Sequence, residues 1–308
     1  MLFSLAFSFS LFLSSTLASP IAIQEFDFKD INTMISFGDS YTMRNINLTD
    51  LTYMCRDCTS AGGPNYVVYL EDYTKWVSWD LAFGGAPVNN ALVHKYPPVP
   101  DLNDQVRELY LGVFAAPSNT IESIVKSAYK TGTRTAHSTL NTFWIGINDI
   151  GLTYGWSNTT AIDKEIMAQY ESLVDQLINY GETNFMFLNV PAIERSPLWS
   201  STTQQANTIR AHVKAFNDRL SQLVKALKSK HHNATFLEYD TWTLFTNVLD
   251  HPTKYNISDI TNYCTDWSAP KQHNCKSMQE YFWHDSLHPT YAVHQVLAKD
   301  ILNFLKKN

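Results

Sequence analysis

The hydrophobic residues of this chain follow two periodicities that alternate along its length. Short apolar runs bounded by Gly, Asn, Pro or Asp predict buried strands at residues 33–37, 142–147, 185–190 and 235–239. Apolar residues that recur every three or four positions predict helices over about 161–180 and 204–228. A third helix is expected after Pro289, with this proline at its first position.

Strands that alternate with helices predict the α/β class, as a three-layer α/β/α sandwich around a mainly parallel sheet. Ligands bind to open sheets of this kind beyond the carboxyl ends of the strands. The turn after the strand at 33–37 and the turn that holds Asn148 both fall at such ends. A site shared by these two turns is therefore expected.

The amino terminus has the pattern of a secretory leader. Residues 2–13 are almost entirely apolar, and small residues follow up to Ala18, which predicts a signal peptide over residues 1–18. The remaining residues, 19–308, suit a single domain with one sizeable core. Because no run of roughly 20 apolar residues follows, no stable membrane anchor is expected.

The charge balance limits the classes of partner. The formal net charge is −6, and Lys and Arg do not cluster. This distribution argues against binding to nucleic acid and against docking on anionic membranes. A neutral or soluble substrate is therefore expected.

The cysteines and the glycosylation motifs both fit an exported, extracellular protein. The even number of cysteines favours disulfides, and the spacing favours Cys55 with Cys58 and Cys264 with Cys275, although four cysteines allow three connectivities. A redox or zinc role for the Cys55-x-x-Cys58 motif is the alternative, but no second such motif accompanies it. N-glycosylation is predicted on exposed loops or element ends at Asn47, Asn158, Asn233 and Asn256.

Two distant segments supply the parts of a nucleophilic serine site. Ser40 directly follows the predicted first strand, in the segment Gly38-Asp39-Ser40, and Asp285 and His288 lie just before the last helix. An imidazole exchanges protons near neutral pH, so His288 can accept the serine proton while Asp285 fixes its tautomer. The alternative is that Gly38-Asp39-Ser40 is a plain turn, Asp285 caps the last helix and His288 packs beneath it.

Two further segments offer donors for an oxyanion. An apolar segment ends in Gly84 and Gly85, and glycine lets a backbone N–H approach a substrate oxygen; Gly85 is the candidate. The amide of Asn148, after another strand, is a second candidate donor. Either segment can equally be an ordinary strand-to-helix turn.

Together these four segments, in this order, resemble the sequence blocks of the SGNH or GDSL hydrolases. That resemblance implies Ser40 as nucleophile, Asp285 and His288 as its partners, and Ser40, Gly85 and Asn148 as the oxyanion hole. The chain is more similar still to secreted fungal acetylesterases of carbohydrate esterase family 16, through the segments 62–66, 81–86, 144–151 and 187–191. This implies hydrolysis of acetyl esters on plant cell-wall sugars, with a small acetylated oligosaccharide or another ester as substrate. The serine mechanism requires no cofactor.

The sequence departs from the family pattern at three positions. Tyr41 replaces the Leu of the GDSL name, Asp80 stands where Asn is usual, and Pro87 where Thr is common. The neighbouring aromatic residues can stack on sugar rings or pack in the core; they are Tyr41, Trp79, Trp156 and Trp283.

The alternatives are a secreted GDSL lipase or phospholipase and a noncatalytic carbohydrate-binding protein. The elbow motif of α/β-hydrolases and the His-Glu-x-x-His motif of zinc hydrolases do not occur in the sequence. Long-chain rather than acetyl preference would favour the lipase, and sugar binding without serine-dependent turnover would favour the binding protein.

Overall fold

The structure, a computed structural model, describes residues 26–114 and 135–308. The predicted leader at 1–18 lies outside the described residues. Within them, five strands form one sheet in the order β2-β1-β3-β4-β5, and every neighbouring pair is parallel. The strands are β1 (Thr33–Gly38), β2 (Val77–Asp80), β3 (Thr139–Trp144), β4 (Asn184–Leu188) and β5 (Thr235–Tyr239).

Helices alternate with these strands. They are α1 (Tyr66–Thr74), α2 (Ile147–Thr153), α3 (Thr159–Tyr180), α4 (Thr203–Lys230), α5 (Thr241–Asp250) and α6 (Tyr291–Leu305). A helical turn, Leu102–Asp104, continues directly as a π-helix, Gln105–Phe114. Short 3₁₀ turns occur at Ile193–Arg195, Pro252–Tyr255 and Met278–Glu280.

The core lies on both faces of the sheet. On one face Phe143 of β3 stacks between Phe37 and Phe187, at centroid distances of 4.7 and 5.4 Å. The next residue, Trp144, points to the other face because side chains alternate along a strand, and there it meets Tyr66 of α1. Since the phenylalanine stack also packs on Tyr170 of α3, helices cover both faces. The predicted three-layer α/β fold is confirmed.

The predicted bounds of the strands and helices match the observed bounds most closely where clear turn residues flank the element. The strand at 235–239 and the two long helices are observed within two residues of prediction. The strand predicted at 142–147 begins and ends three residues earlier, because Gly146 turns the backbone with φ +124° and Ile147 already belongs to α2. The strand predicted at 185–190 is observed as Asn184–Leu188.

The position predicted for Pro289 is wrong. Helix α6 begins at Tyr291, after the N-cap Thr290. Pro289 instead pairs with Trp283 in an isolated antiparallel bridge, which closes the loop before the helix. The loop between these two residues carries Asp285 and His288.

The disulfides occur as the spacing favoured: Cys55 is joined to Cys58 and Cys264 to Cys275. The acceptor asparagines of the predicted glycosylation sites, Asn47, Asn158, Asn233 and Asn256, are all exposed, as expected; attachment of a glycan stays a prediction. Among the described helices, none is long and apolar enough to cross a bilayer.

Candidate active site

The turn that carries Ser40 is fixed from both sides. Gly38, the last residue of β1, donates its N–H to Gln105 Oε1 (2.9 Å) and accepts from Gln105 Nε2 (2.8 Å), so this buried side chain continues the sheet hydrogen bonding past the strand end. After it, the Asp39 carbonyl accepts from the N–H groups of Thr42 and Met43. Ser40 therefore lies on a tight turn at the carboxyl edge of the sheet.

Three polar side chains meet at this turn in one hydrogen-bonded row. His288 Nε2 lies 2.7 Å from Ser40 Oγ, and His288 Nδ1 lies 2.8 Å from Asp285 Oδ2. An ionised carboxylate can only accept a hydrogen bond, so Nδ1 carries the proton and Nε2 is left as an acceptor for the serine hydroxyl. This is the tautomer in which the imidazole can deprotonate Ser40.

The loop that carries the acid and the imidazole is held by bonds from three directions. Within the loop, His284 N–H donates to the carbonyl of His288 (2.7 Å). Trp267, inside the loop closed by the second disulfide, donates Nε1–H to the carbonyl of His284 (2.7 Å). The Tyr41 hydroxyl donates to the carbonyl of Leu287 (2.6 Å), so the residue after the serine reaches directly to the histidine loop.

Asp285 is kept ionised by its neighbours. Partial burial alone would raise the pKa of this carboxyl, but the hydrogen bond and positive charge of His288, with the N–H groups of Leu287 and His288, lower the pKa to about 2. A carboxylate that is ionised throughout the neutral range stabilises the imidazolium that forms when His288 accepts a proton.

Unpaired backbone donors lie near the serine hydroxyl. In the described part of the chain, the N–H groups of Ser40 and Gly85 have no hydrogen-bond partner. A Cβ built on Gly84 would lie 3.9 Å from Ser40 Cβ, which puts the two-glycine turn beside the Ser40 side chain, and Gly85 adopts φ +78°. Asn148, in the first turn of α2, reaches the same turn and donates Nδ2–H to the Ala86 carbonyl (3.1 Å), with one amide hydrogen left over.

Comparison with known proteins gives the family. The family described as GDSL-like Lipase/Acylhydrolase matches residues 34–301, which is most of the chain and includes every residue of the site. The chain belongs to this family. It is therefore a carboxylic ester hydrolase, as predicted.

Several characterised proteins resemble this GDSL family member. An acetylesterase of Thermothelomyces thermophilus is 26% identical over 294 residues and covers 90% of both chains. An acetylesterase of Hypocrea jecorina is 20% identical over 315 residues, covering 89% of this chain and 88% of its own. Among solved structures, an acetyl xylan esterase superposes with a TM-score of 0.46 at 11% identity, covering 88% of this chain and 98% of its own.

Buried carboxyl groups surround the site of this GDSL family member. Burial raises the pKa of Asp39 to about 7, against the opposing effects of the Tyr41 N–H and the charge of His288. Burial likewise raises the pKa of Asp149 to about 7, although both its oxygens accept from the N–H of Val88 (3.1 and 3.2 Å). Asp149 thereby ties the loop after Gly85 to helix α2, next to Asn148.

The structure excludes the purely structural roles considered for Asp285 and His288. Asp285 does not cap the last helix: its Oδ1 accepts from Leu287 and His288, and the N-cap of α6 is Thr290. His288 does not pack beneath that helix, since its ring joins Asp285 to Ser40.

Of the two roles left open for the aromatic residues near the motifs, core packing is the one observed for most of them. Tyr41, Trp79 and Trp283 are buried in the core, and only Trp156 of the four is partly exposed. The Tyr41 hydroxyl also donates a hydrogen bond to the Leu287 carbonyl, which joins the turn that carries Ser40 to the loop that carries His288. This hydrogen bond between Tyr41 and Leu287 is a contact that sequence reasoning missed.

Proposed function

We propose that this protein is a serine esterase that removes acetyl groups through a covalent acetyl-enzyme on Ser40. The observation that carries the proposal is the row of hydrogen bonds from Asp285 through His288 to Ser40. Residues 248 positions apart in sequence are placed at 2.7 Å, with the imidazole in the tautomer that general-base catalysis needs.

In the first half of the reaction, the Ser40 Oγ–H bond breaks and its proton moves to His288 Nε2. A bond forms between Oγ and the acyl carbon, and the carbonyl electrons move to its oxygen. When the tetrahedral intermediate collapses, the bond to the sugar oxygen breaks and that oxygen takes the proton from His288. Water then repeats the sequence on the acetyl-enzyme, which releases acetate and returns the proton to Ser40.

The developing oxyanion is assigned to three donors. The free N–H groups of Ser40 and Gly85 and the spare amide hydrogen of Asn148 belong to turns that meet beside the Ser40 hydroxyl. Donors that are already fixed before the reaction stabilise the transition state without having to reorganise. The polar contacts that hold Asn148 and the Gly85 turn, through Ala86 and Asp149, supply that fixation.

The substrate class proposed is acetyl esters on plant cell-wall oligosaccharides, hydrolysed outside the cell. Two relatives that match along about nine-tenths of the chain are acetylesterases. Two disulfides and four exposed N-glycosylation motifs support export, with residues 1–18 as the leader and 19–308 as one domain.

A lipase or phospholipase is the second candidate. Plant members named GDSL esterase/lipase match this chain over about half of its length, for example one from Arabidopsis thaliana at 24% identity over 45% of the chain. A noncatalytic sugar-binding protein is the third, and the intact Ser40–His288 pair argues against it.

The three candidates are separated by one comparison of substrates. Purified wild type and Ser40→Ala are incubated with acetylated xylo-oligosaccharides, a short-chain aryl acetate and a phospholipid, and the released acid is quantified. We expect acetate release from the oligosaccharide by wild type alone. Turnover of the phospholipid only would favour the lipase, and sugar binding without Ser40-dependent turnover would favour the binding protein.

A further inference from the structure

A lysine lies directly over the glycine proposed as an oxyanion donor. A Cβ built on Gly85 would lie 3.6 Å from Lys95 Nζ and 3.9 Å from Lys95 Cε, and no other described atom outside the neighbouring residues comes within 4 Å of that position. Gly84, the residue before it, is the one that approaches Ser40. The lysine side chain therefore extends along the edge of the proposed oxyanion hole.

The ammonium group of this lysine has no partner among the residues that the structure describes. Among residues 26–114 and 135–308, no carboxylate pairs with Lys95 and no side-chain hydrogen bond uses its ammonium. The side chain is partly exposed, so an incoming molecule can reach it. An ammonium group that lies beside a proposed oxyanion donor and has no counter-ion among the described residues attracts anions there.

Hydrogen bonds hold the loop that carries Lys95. The Lys95 N–H donates to the Asn90 carbonyl (2.9 Å), and Asn90 is held by the buried carboxylate of Asp101 through its N–H (2.7 Å) and its Nδ2 (2.9 Å). Asp101 in turn forms a capping box with Asp104 at the start of the helical turn. The Leu102 N–H donates to the Pro87 carbonyl (3.1 Å), which joins this loop to the chain that follows the Gly85 turn.

The same loop presents an aromatic ring to solvent. Tyr96 follows the lysine directly and is 89% exposed, which leaves its ring free for contact with a sugar face. On the other side of Lys95, His94 packs against Trp156, with the ring centroids 5.1 Å apart. A cation flanked by accessible aromatic rings suits a sugar that carries a carboxylate.

We propose that Lys95 is a specificity-determining residue that favours acetyl esters whose alcohol half carries a carboxylate, such as an oligosaccharide with an acidic sugar. This inference rests on the proposed function of the same site. The lysine acts on the substrate through charge and takes no part in proton transfer. The preference should therefore depend on ionic strength and should survive replacement by arginine.

The test uses two aryl acetates that differ in charge but hardly in shape, 3-acetoxybenzoate and 3-acetoxybenzamide. kcat/KM is measured on both for wild type, Lys95→Met, Lys95→Arg and the control Lys29→Met, an exposed lysine that precedes β1 at the opposite edge of the sheet. Lys95→Met should lose about tenfold on the carboxylate and about twofold on the amide, since one charge pair at a few ångströms in partly screened surroundings is worth roughly that factor. Lys95→Arg and Lys29→Met should keep the wild-type ratio.

Salt gives a second readout that a purely structural role would not produce. At 1 M NaCl the screening length falls to about 3 Å, so the wild-type preference for the carboxylate should shrink towards that of Lys95→Met. Equal losses on both esters in Lys95→Met, or no loss on either, would overturn the inference while leaving the esterase function intact. A wild type that hydrolyses neither ester would contradict the proposed function and, with it, this inference.

Discussion

At the residue scale, Tyr41 shows how one side chain can join two distant segments. Its ring is buried against Trp144 and lies 5.6 Å from the ring of His288, while its hydroxyl donates to the Leu287 carbonyl. The generic family pattern has Leu at this position, and a leucine cannot make that bond. The tyrosine therefore joins the loop that carries His288 to the turn that carries Ser40.

Tyr41→Phe should keep the packing and remove only the hydroxyl. We expect a loss of about 1 to 2 kcal/mol in the free energy of unfolding, because the partly buried Leu287 carbonyl loses its donor. We also expect kcat to fall roughly tenfold, since a looser loop misplaces His288. Urea unfolding and acetate-release kinetics measure the two effects.

The matched control for this substitution is Tyr239→Phe. Its hydroxyl donates to Asp300 (2.6 Å) in the C-terminal half of α6, whereas the loop that carries His288 precedes the start of this helix. Both variants should lose stability, but only Tyr41→Phe should lose kcat. An equal fall in kcat for both would show that the Tyr41 hydroxyl has no special part in positioning His288.

Asn148 gives a second prediction at this scale. Loss of one oxyanion donor lowers turnover by about 10² to 10³, or roughly 2.7 to 4 kcal/mol. Asn148→Ala should therefore turn over slowly with little change in KM, as measured by steady-state hydrolysis of an aryl acetate. Unchanged kcat in a folded variant would remove Asn148 from the oxyanion hole.

At the scale of elements, the passage from β3 to α2 decides where Asn148 lies. Gly146 adopts φ +124°, and a Cβ there would lie 2.5 Å from Phe216 Cε1 and 2.8 Å from Val190 Cγ2. Both the backbone conformation and the space thus require glycine. The close packing of α4 against this turn fixes the start of α2.

Gly146→Ala should accordingly destabilise the protein by about 2 to 4 kcal/mol, from backbone strain together with overpacking. Gly155→Ala is the matched control, because nothing lies within 4 Å of the Cβ it would add; its effect should stay within about 0.5 kcal/mol. Urea unfolding of the two variants compares them directly. Similar free energies of unfolding for the two variants would contradict the requirement for glycine at position 146.

The sequence predicted those helices and strands whose hydrophobic spacing and flanking turn residues lie within the element itself. The long helices α3 and α4 show unbroken three-and-four spacing, and the short runs at β1, β4 and β5 end in clear turn residues. Strand β2, with four residues, and helices α1, α2 and α5, with seven to ten residues, were not predicted as elements because such short patterns carry little periodicity.

For the candidate site, the sequence predicted which residues take part but not the contacts between them. Ser40, Asp285 and His288 were found from residue types in ordered motifs, but their contact depends on the sheet and on the closed loop between Trp283 and Pro289. The role of Tyr41 depends on one long-range hydrogen bond, and the position of Lys95 depends on the fold of the loop between Asn90 and Asp101. Neither contact can be predicted from the sequence around these residues.

At the scale of the whole molecule, buried carboxyl groups couple stability to pH. Burial raises the pKa of Asp39 and Asp149 to about 7, and it raises the pKa of Asp80 as well. A carboxyl whose pKa is higher in the folded than in the unfolded chain binds its proton more tightly when folded. Its contribution to stability is full below about pH 3.8 and is lost as the pH rises through about 7.

Asp149→Asn tests this coupling. Between pH 4 and 7 the wild type should lose roughly 1 kcal/mol per pH unit through this group, and the variant should lack that slope, because the amide does not titrate and its oxygen still accepts from Val88. Urea unfolding at several pH values gives the difference between the two slopes. Parallel slopes would mean that Asp149 does not titrate in this range.

The central claim is that Ser40 forms the acetyl-enzyme, and trapping that intermediate tests it most directly. Wild type and Ser40→Ala are mixed with an aryl acetate, quenched in acid during turnover and digested, and the acetylated peptide is located by mass spectrometry. The account predicts an acetyl group on Ser40 in the wild type, and neither adduct nor turnover in Ser40→Ala. Undiminished turnover by Ser40→Ala, or a transient acetyl group on a different residue, would contradict it.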